Sequence, residues 1–151
     1  MSQATPLNIL LADDDEDDRM FFASALKRIS IPTHLTTVED GEKLIAHLSG
    51  KNPTDVLFLD MNMPRKNGME CLLEIKANEQ TKDIPIIIYS TSLNESIADI
   101  FYQKGAHYYL QKSDFSALIQ HLRQILTLMT KKDFDRKTRN KFIFQLHENS
   151  N

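Results

Sequence analysis

The chain has 151 residues, 41% of them apolar and 26% charged, with a formal net charge of −3. That length suits one domain whose core needs no covalent staples. The negative charge argues against a nucleic-acid binder, and no apolar run approaches the roughly 18 residues of a membrane span. Met1 to Pro6 shows no basic stretch leading into a long apolar run, so no signal peptide is expected. The one cysteine, Cys71, permits no intrachain disulfide and fits a reducing, cytoplasmic setting. Charge is uneven along the chain. Residues 1–130 hold 12 Lys+Arg and 18 Asp+Glu, a net of −6, whereas residues 131–151 hold 6 and 3, a net of +3. The organisation expected is therefore a short lead (1–6), one acidic domain (7–130) and a basic tail or docking arm (131–151).

The first apolar run, Leu7–Ala12, reads as a buried strand. Asp13 to Asp18 follow it, all acidic, and then Phe22, Ala25, Leu26 and Ile29 recur at helical spacing. Leu35–Val38 is the weakest run, because Thr36 and Thr37 interrupt it, and it is expected at a sheet edge. Leu44, Ile45 and Leu48 form the next helical set, after Gly41. Val56–Leu59 is a third strand, ending at Asp60, and Leu72, Leu73 and Ile75 mark a helix after Gly68. Ile84–Tyr89 is a fourth, ending at Ser90 and Thr91, with Ile97, Ile100 and Phe101 following Asn94. Tyr108–Leu110 is a fifth, followed by Gln111 and Lys112; Leu118, Leu122, Ile125 and Met129 then follow Asp114. Asp15, Asn94 and Asp114 are suitable helix N-caps. Fivefold strand–helix alternation implies an α/β domain with a parallel sheet covered on both faces. The tail departs from this pattern, being basic and then apolar at Phe142, Ile143, Phe144 and Leu146.

Chemistry-bearing residues recur at one place, the end of each strand. Four strands deliver Asp13 and Asp14, Asp60, Ser90 and Lys112 to the carboxyl edge of the sheet, where open parallel sheets bind ligands. The three carboxylates and one ammonium leave a net of −2. At an effective dielectric of 20, like charges ~4 Å apart repel by about 4 kcal/mol. A hard divalent cation with oxygen ligands resolves this, and Mg²⁺ suits one or two carboxylates plus waters and a phosphate. His34, His47, His107, His121 and His147 show no ligand spacing for a transition metal. Each residue has a plainer explanation when taken alone. The acidic run complements a helix dipole, a strand-end Asp makes a turn, Ser90 caps a helix, Lys112 is solvated and Cys71 is core. Asp15 to Asp18 are assigned nothing beyond the dipole. It is the conjunction that points to a site.

These residues match a family pattern. Ile9-Leu10-Leu11-Ala12-Asp13-Asp14-Asp15, then Asp60-Met61-Asn62-Met63-Pro64 with Gly68, then Pro85 to Ser90, then Gly105-Ala106 with Tyr109 and Lys112, resemble response-regulator receiver domains of two-component signalling. The resemblance covers about Leu7 to Met129. It implies a flavodoxin-like doubly wound sheet of five parallel strands in the order 2-1-3-4-5, with five helices. It further implies Asp60 as phosphoacceptor, and Mg²⁺ (or Mn²⁺) held by Asp13, Asp14, Asp60 and the backbone carbonyl of Asn62. Lys112 and Ser90 would contact the phosphoryl oxygens, and Ser90 and Tyr109 would form the switch. The partners implied are a histidine kinase or phosphotransfer protein and a downstream protein reached by docking, with no nucleic acid or membrane, by a monomer or weak dimer. No enzymatic activity is expected beyond the chain's own phosphorylation and dephosphorylation.

Two departures stand out. Receivers usually follow the lysine with proline, often in a cis bond; here Ser113 follows Lys112, and a trans bond is expected because a cis non-proline bond costs roughly 3 kcal/mol. Tyr89 stands before Ser90, where many receivers have a small aliphatic residue. Other functions fit less well. A haloacid-dehalogenase-type phosphatase wants an acid two residues after its nucleophile, and residue 62 is Asn. A flavin module needs a phosphate-cradling loop where this chain has six acids. A DNA-binding regulator needs a helix-turn-helix, for which the tail is too short.

Overall fold

The computed structural model describes residues 5–145. Five strands are present: β1 (Leu7–Ala12), β2 (Thr33–Val38), β3 (Val56–Leu59), β4 (Ile86–Ser90) and β5 (Tyr108–Gln111). They alternate with α1 (Glu16–Leu26), α2 (Gly41–Ser49), α3 (Gly68–Ala77), α4 (Glu95–Gln103) and α5 (Phe115–Thr130). All pairings are parallel and the strand order is β2-β1-β3-β4-β5, with β2 at an edge as its interrupted run suggested. Among the described residues no helix is long and apolar enough to cross a membrane.

Strand alternation divides the core in two. Leu10, Ala12, Leu57, Leu59, Ile86, Ile88 and Tyr109 face one side, under Leu44 and Leu48 of α2, Leu72 and Ile75 of α3 and Phe101 of α4. Ile9, Leu11, Phe58, Ile87, Tyr89, Tyr108 and Leu110 face the other, under Phe22 of α1 and Leu118, Leu122 and Ile125 of α5. Cys71 is buried in the first layer, and that burial pushes its thiol up to about 11.

Several element boundaries differ from the sequence expectation. β4 begins at Ile86 rather than Ile84 because Pro85 has no N–H to give the ladder; its carbonyl still accepts from Leu57 N at 2.9 Å. β2 starts two residues earlier, at Thr33, since an edge strand paired with Leu7 needs no apolar alternation. β5 runs one residue further, to Gln111, which pairs with Ser90. Leu73 and Ile100, expected on buried helix faces, are 45% and 48% exposed; Cys71 and Ala98 take the inward positions. All five helices carry Asp or Asn N-caps, and Asp40 and Asn67 were not foreseen.

After α5 the chain returns along the outer edge of β5. Tyr109 N donates to Phe142 O at 3.0 Å and Phe144 N donates to Tyr109 O at 2.8 Å, closing a parallel bridge between Tyr109 and Ile143. Phe142 packs into the α2–α3–α4 layer and Phe144 into the α1–α5 layer, both buried. In a regular strand residues two apart would share a face, and the helical backbone of Phe142 (φ −67°, ψ −43°), which ends a short 3-10 turn over Arg139–Lys141, breaks that alternation. The basic residues of this segment divide. Arg139 pairs with Glu95 and Asp99 of α4 at 2.7 and 2.6 Å, and Arg136 lies 3.9 Å from the centre of the Tyr102 ring. Lys137 pairs with Asp133 inside the segment itself. Leu146 lies outside the described residues.

Candidate active site

Three ladders set the carboxyl edge in register. Asp13 N donates to Val38 O, Asp60 N to Ala12 O and Lys112 N to Ser90 O, at 3.0, 3.0 and 2.7 Å. Gly68 then lets α3 start close behind Asp60. A Cβ there would stand 2.5 Å from the Asp60 carbonyl oxygen and 2.8 Å from Met61 Cα, distances that side-chain-bearing residues do not tolerate.

Asp13, Asp14 and Asp60 each offer a carboxylate oxygen within 4.8 Å of the others. Asp13 and Asp60 are buried and Asp14 is exposed, so the cluster has an inner wall and an open side. Asp13 Oδ1 accepts from Asp15 N at 3.0 Å. Lys112 Nζ stands 2.8 Å from Asp13 Oδ2, a buried ion pair. Asp60 Oδ1 accepts from Asn62 N at 3.3 Å, and Asp60 Oδ2 is 3.7 Å from Lys112 Nζ. Burial, with Asp13 adding to it and Lys112 opposing it, pushes the Asp60 carboxyl up to about 7. Burial works against the Lys112 ammonium, but its contacts with Asp13 and Asp18 and the field of Asp60 outweigh that and raise it. Three carboxylates within 4.8 Å of one another, faced by one ammonium, are an oxygen donor set that fits a divalent cation.

Ser90 and Tyr109 lie on the other side of Asp60. Ser90 is buried, and its Oγ has two contacts, Ser92 Oγ and Ser92 N, each at a weak 3.3 Å. Tyr109 faces the layer opposite to α1 and α5, is fully buried, and donates its hydroxyl to Ser92 O at 2.7 Å. The ring therefore already occupies the space beside β4, with Phe142 over it at 6.4 Å between ring centres. No cis peptide bond occurs among the described residues, so the Lys112–Ser113 bond is trans, as expected.

The model of the response regulator receiver domain matches residues 9–123. The chain belongs to the response regulator receiver family. Response regulator Rcp1 of Synechocystis sp. is 33% identical over 114 residues, covering 72% of this chain and 78% of that protein. Chemotaxis protein CheY1 of Helicobacter pylori is 27% identical over 106 residues, covering 70% and 85%. Among solved structures, the phosphorylated cyanobacterial phytochrome response regulator RcpA superposes with a TM-score of 0.77 at 30% identity, over 85% of this chain and 96% of that one. The Mn²⁺-bound form of Rcp1 gives 0.73 at 31% identity, over 82% and 94%.

In this receiver the structure brings together Asp13, Asp14, Asp60 and Lys112, while the Ser90 hydroxyl at the end of β4 contacts only Ser92 among the described residues. The structure also gives a place at the site to three residues for which the sequence reading had none. Asp18 Oδ2 accepts from Lys112 Nζ at 2.9 Å, so the acidic run does more than face a dipole. Arg19 Nη1 donates to Asp13 O at 2.8 Å and ties down the loop that carries the cluster. Tyr89 lies below Lys112, with Nζ 5.2 Å from its ring centre. The aromatic at that position thus forms the floor of the lysine's channel, itself packed edge-on against Phe22 and Phe58. Asp18 sits on the helical turn after Asp15, and its reach across to the fifth strand depends on the strand order, which spacing alone does not disclose.

Proposed function

We propose that this receiver accepts a phosphoryl group on Asp60 from a histidine kinase, a phosphotransfer protein or a small phosphodonor, and signals by phosphorylation-dependent docking to a downstream protein. The observation that carries this reading is Asp60 itself: a buried strand-end carboxylate, 3.7 Å from Lys112 Nζ, inside a three-carboxylate cluster. A carboxylate oxygen of Asp60 attacks phosphorus; its new O–P bond forms as the donor's bond to phosphorus breaks, and the electron pair leaves with the donor group. The work of the protein is positioning and electrostatics. Lys112 donates from Nζ to one phosphoryl oxygen. Ser90, whose present contacts are weak, turns its hydroxyl to another and draws on the loop whose Ser92 carbonyl holds Tyr109. Mg²⁺ (or Mn²⁺), held by Asp13, Asp14, Asp60 and the Asn62 carbonyl, would neutralise the incoming charge. The Mn²⁺ in the Rcp1 structure supports a cation of this class.

The protein acts on no substrate but its own Asp60, and it works in the cytoplasm. The described part of the tail, residues 131–145, serves as a docking arm for the receiver's own β5 edge rather than as a DNA-binding element; Phe142, Phe144 and the Arg139 pairs support this. A downstream partner reading α4, β5 and α5 therefore meets a surface that the arm in part covers. The test is incubation with a small phosphodonor and Mg²⁺, read by intact mass. The wild type gains one phosphoryl group, and Asp60→Ala and the chelator-treated protein gain none. A gain in Asp60→Ala refutes the assignment.

A further inference from the structure

Lys112 reaches the carboxylate cluster on a long side chain. Its loop is exposed on both sides, at Gln111 and Ser113, and its four-carbon stem has many rotamers to lose. An ammonium offers three N–H donors. One points toward Asp13 Oδ2 and a second bonds to Asp18 Oδ2 at 2.9 Å. The third is left for the Asp60 side, where Oδ2 at 3.7 Å is too far for a hydrogen bond, so that N–H remains free for an oxygen that arrives beside Asp60. Asp18 is itself held in place: its N–H bonds to the Asp15 cap at 3.0 Å. Tyr89 closes the channel from below.

We infer that Asp18 is a positioning residue for phosphoryl transfer, pinning Lys112 so that its remaining N–H faces the oxygen of the group arriving at Asp60. This rests on Asp60 being the phosphoacceptor. The neighbouring Asp17 separates contact from charge, since it carries the same charge, is exposed and is not paired with Lys112. A purely electrostatic Asp18 would repel an anionic donor, so removing it would speed the reaction. A pin does the opposite, because small displacements of a catalytic group cost large factors in rate.

The experiment follows phosphorylation of the full chain by acetyl phosphate at saturating Mg²⁺, with rate read against donor concentration by intact mass. Asp18 is part-exposed on the first turn of α1, so alanine there leaves the core intact and a thermal melt checks it. The expected result is that Asp18→Ala lowers the maximal rate by about tenfold with little change in the half-saturating donor concentration. Asp18→Asn, which keeps an acceptor oxygen, restores most of the rate, and Asp17→Asn stays at the wild-type value. In a Lys112→Ala background, Asp18→Ala has no further effect. A wild-type or faster rate in Asp18→Ala overturns the inference, as does an equal loss in Asp17→Asn or an additive loss without Lys112. A wild-type protein that takes no phosphoryl group would instead refute the role of Asp60.

Discussion

Replacing Asp60 with Asn should stabilise the cation-free protein, and the gain should depend on pH in a defined direction. Burial first, then the neighbouring Asp13, raise the Asp60 carboxyl from 3.8 to about 7 against the pull of Lys112. Between those values the folded chain keeps a proton that the unfolded chain has released. Stability contributed by this group is therefore lost as pH rises from about 4 to 7, and the full penalty stands above 7. At about 1.4 kcal/mol per pH unit the penalty is about 4 kcal/mol, and solvent at the open side of the cluster reduces it to about 2–4 kcal/mol. For a chain of this length each kcal/mol moves the melting temperature by about 2–4 °C. In chelator at pH 8, Asp60→Asn should thus melt at least about 4 °C above the wild type by circular dichroism, and the two should converge near pH 4. Taking the difference between the proteins cancels the other carboxylates. Adding Mg²⁺ should raise the wild type and narrow the gap, since a ligand of the folded state stabilises it. Equal melting temperatures at pH 8 in chelator, or a gap that widens toward pH 4, would refute the account of Asp60.

Asp14→Asn should weaken Mg²⁺ binding by about tenfold or more in a calorimetric titration, whereas Asp17→Asn should leave it unchanged, because only Asp14 belongs to the cluster. Ser90→Ala should still accept a phosphoryl group on Asp60 but lose the phosphorylation-dependent shift of the Tyr109 ring resonances, given the Ser90–Ser92–Tyr109 chain of contacts; a full shift would break that chain. Phe142→Ala should cost about 3–5 kcal/mol of unfolding free energy and speed hydrogen exchange at the Tyr109 amide, whose acceptor is the Phe142 carbonyl. Unchanged exchange there would mean that the arm does not hold β5.

Much of this architecture was legible because apolar runs and helical periods are local. Val56–Leu59 is buried from end to end and needs no partner to be recognised as a central strand. The strand-end residues Asp13, Asp14, Asp60 and Lys112 were legible for a related reason: in a parallel sheet, position after a strand is position at the site. What could not be read depends on distance across the fold. Asp18 and Lys112 are 94 residues apart in sequence and meet because α1 and the end of β5 share a face. The tail's composition showed basic and apolar residues but not the bridge to Tyr109, which needs the free edge of β5. Leu73 and Ile100 misled because helical spacing alone does not say which side of a two-layer sheet each residue meets.

The most direct test of the central claim is the chemical identity of the modified residue. After exposure to acetyl phosphate and Mg²⁺, borohydride reduces an aspartyl phosphate to the alcohol and releases phosphate, and peptide mapping locates the change. The account predicts homoserine at position 60, present in the wild type and absent when chelator replaces Mg²⁺. Reduction at any other aspartate, or none in a protein that has demonstrably taken up phosphate, would contradict it.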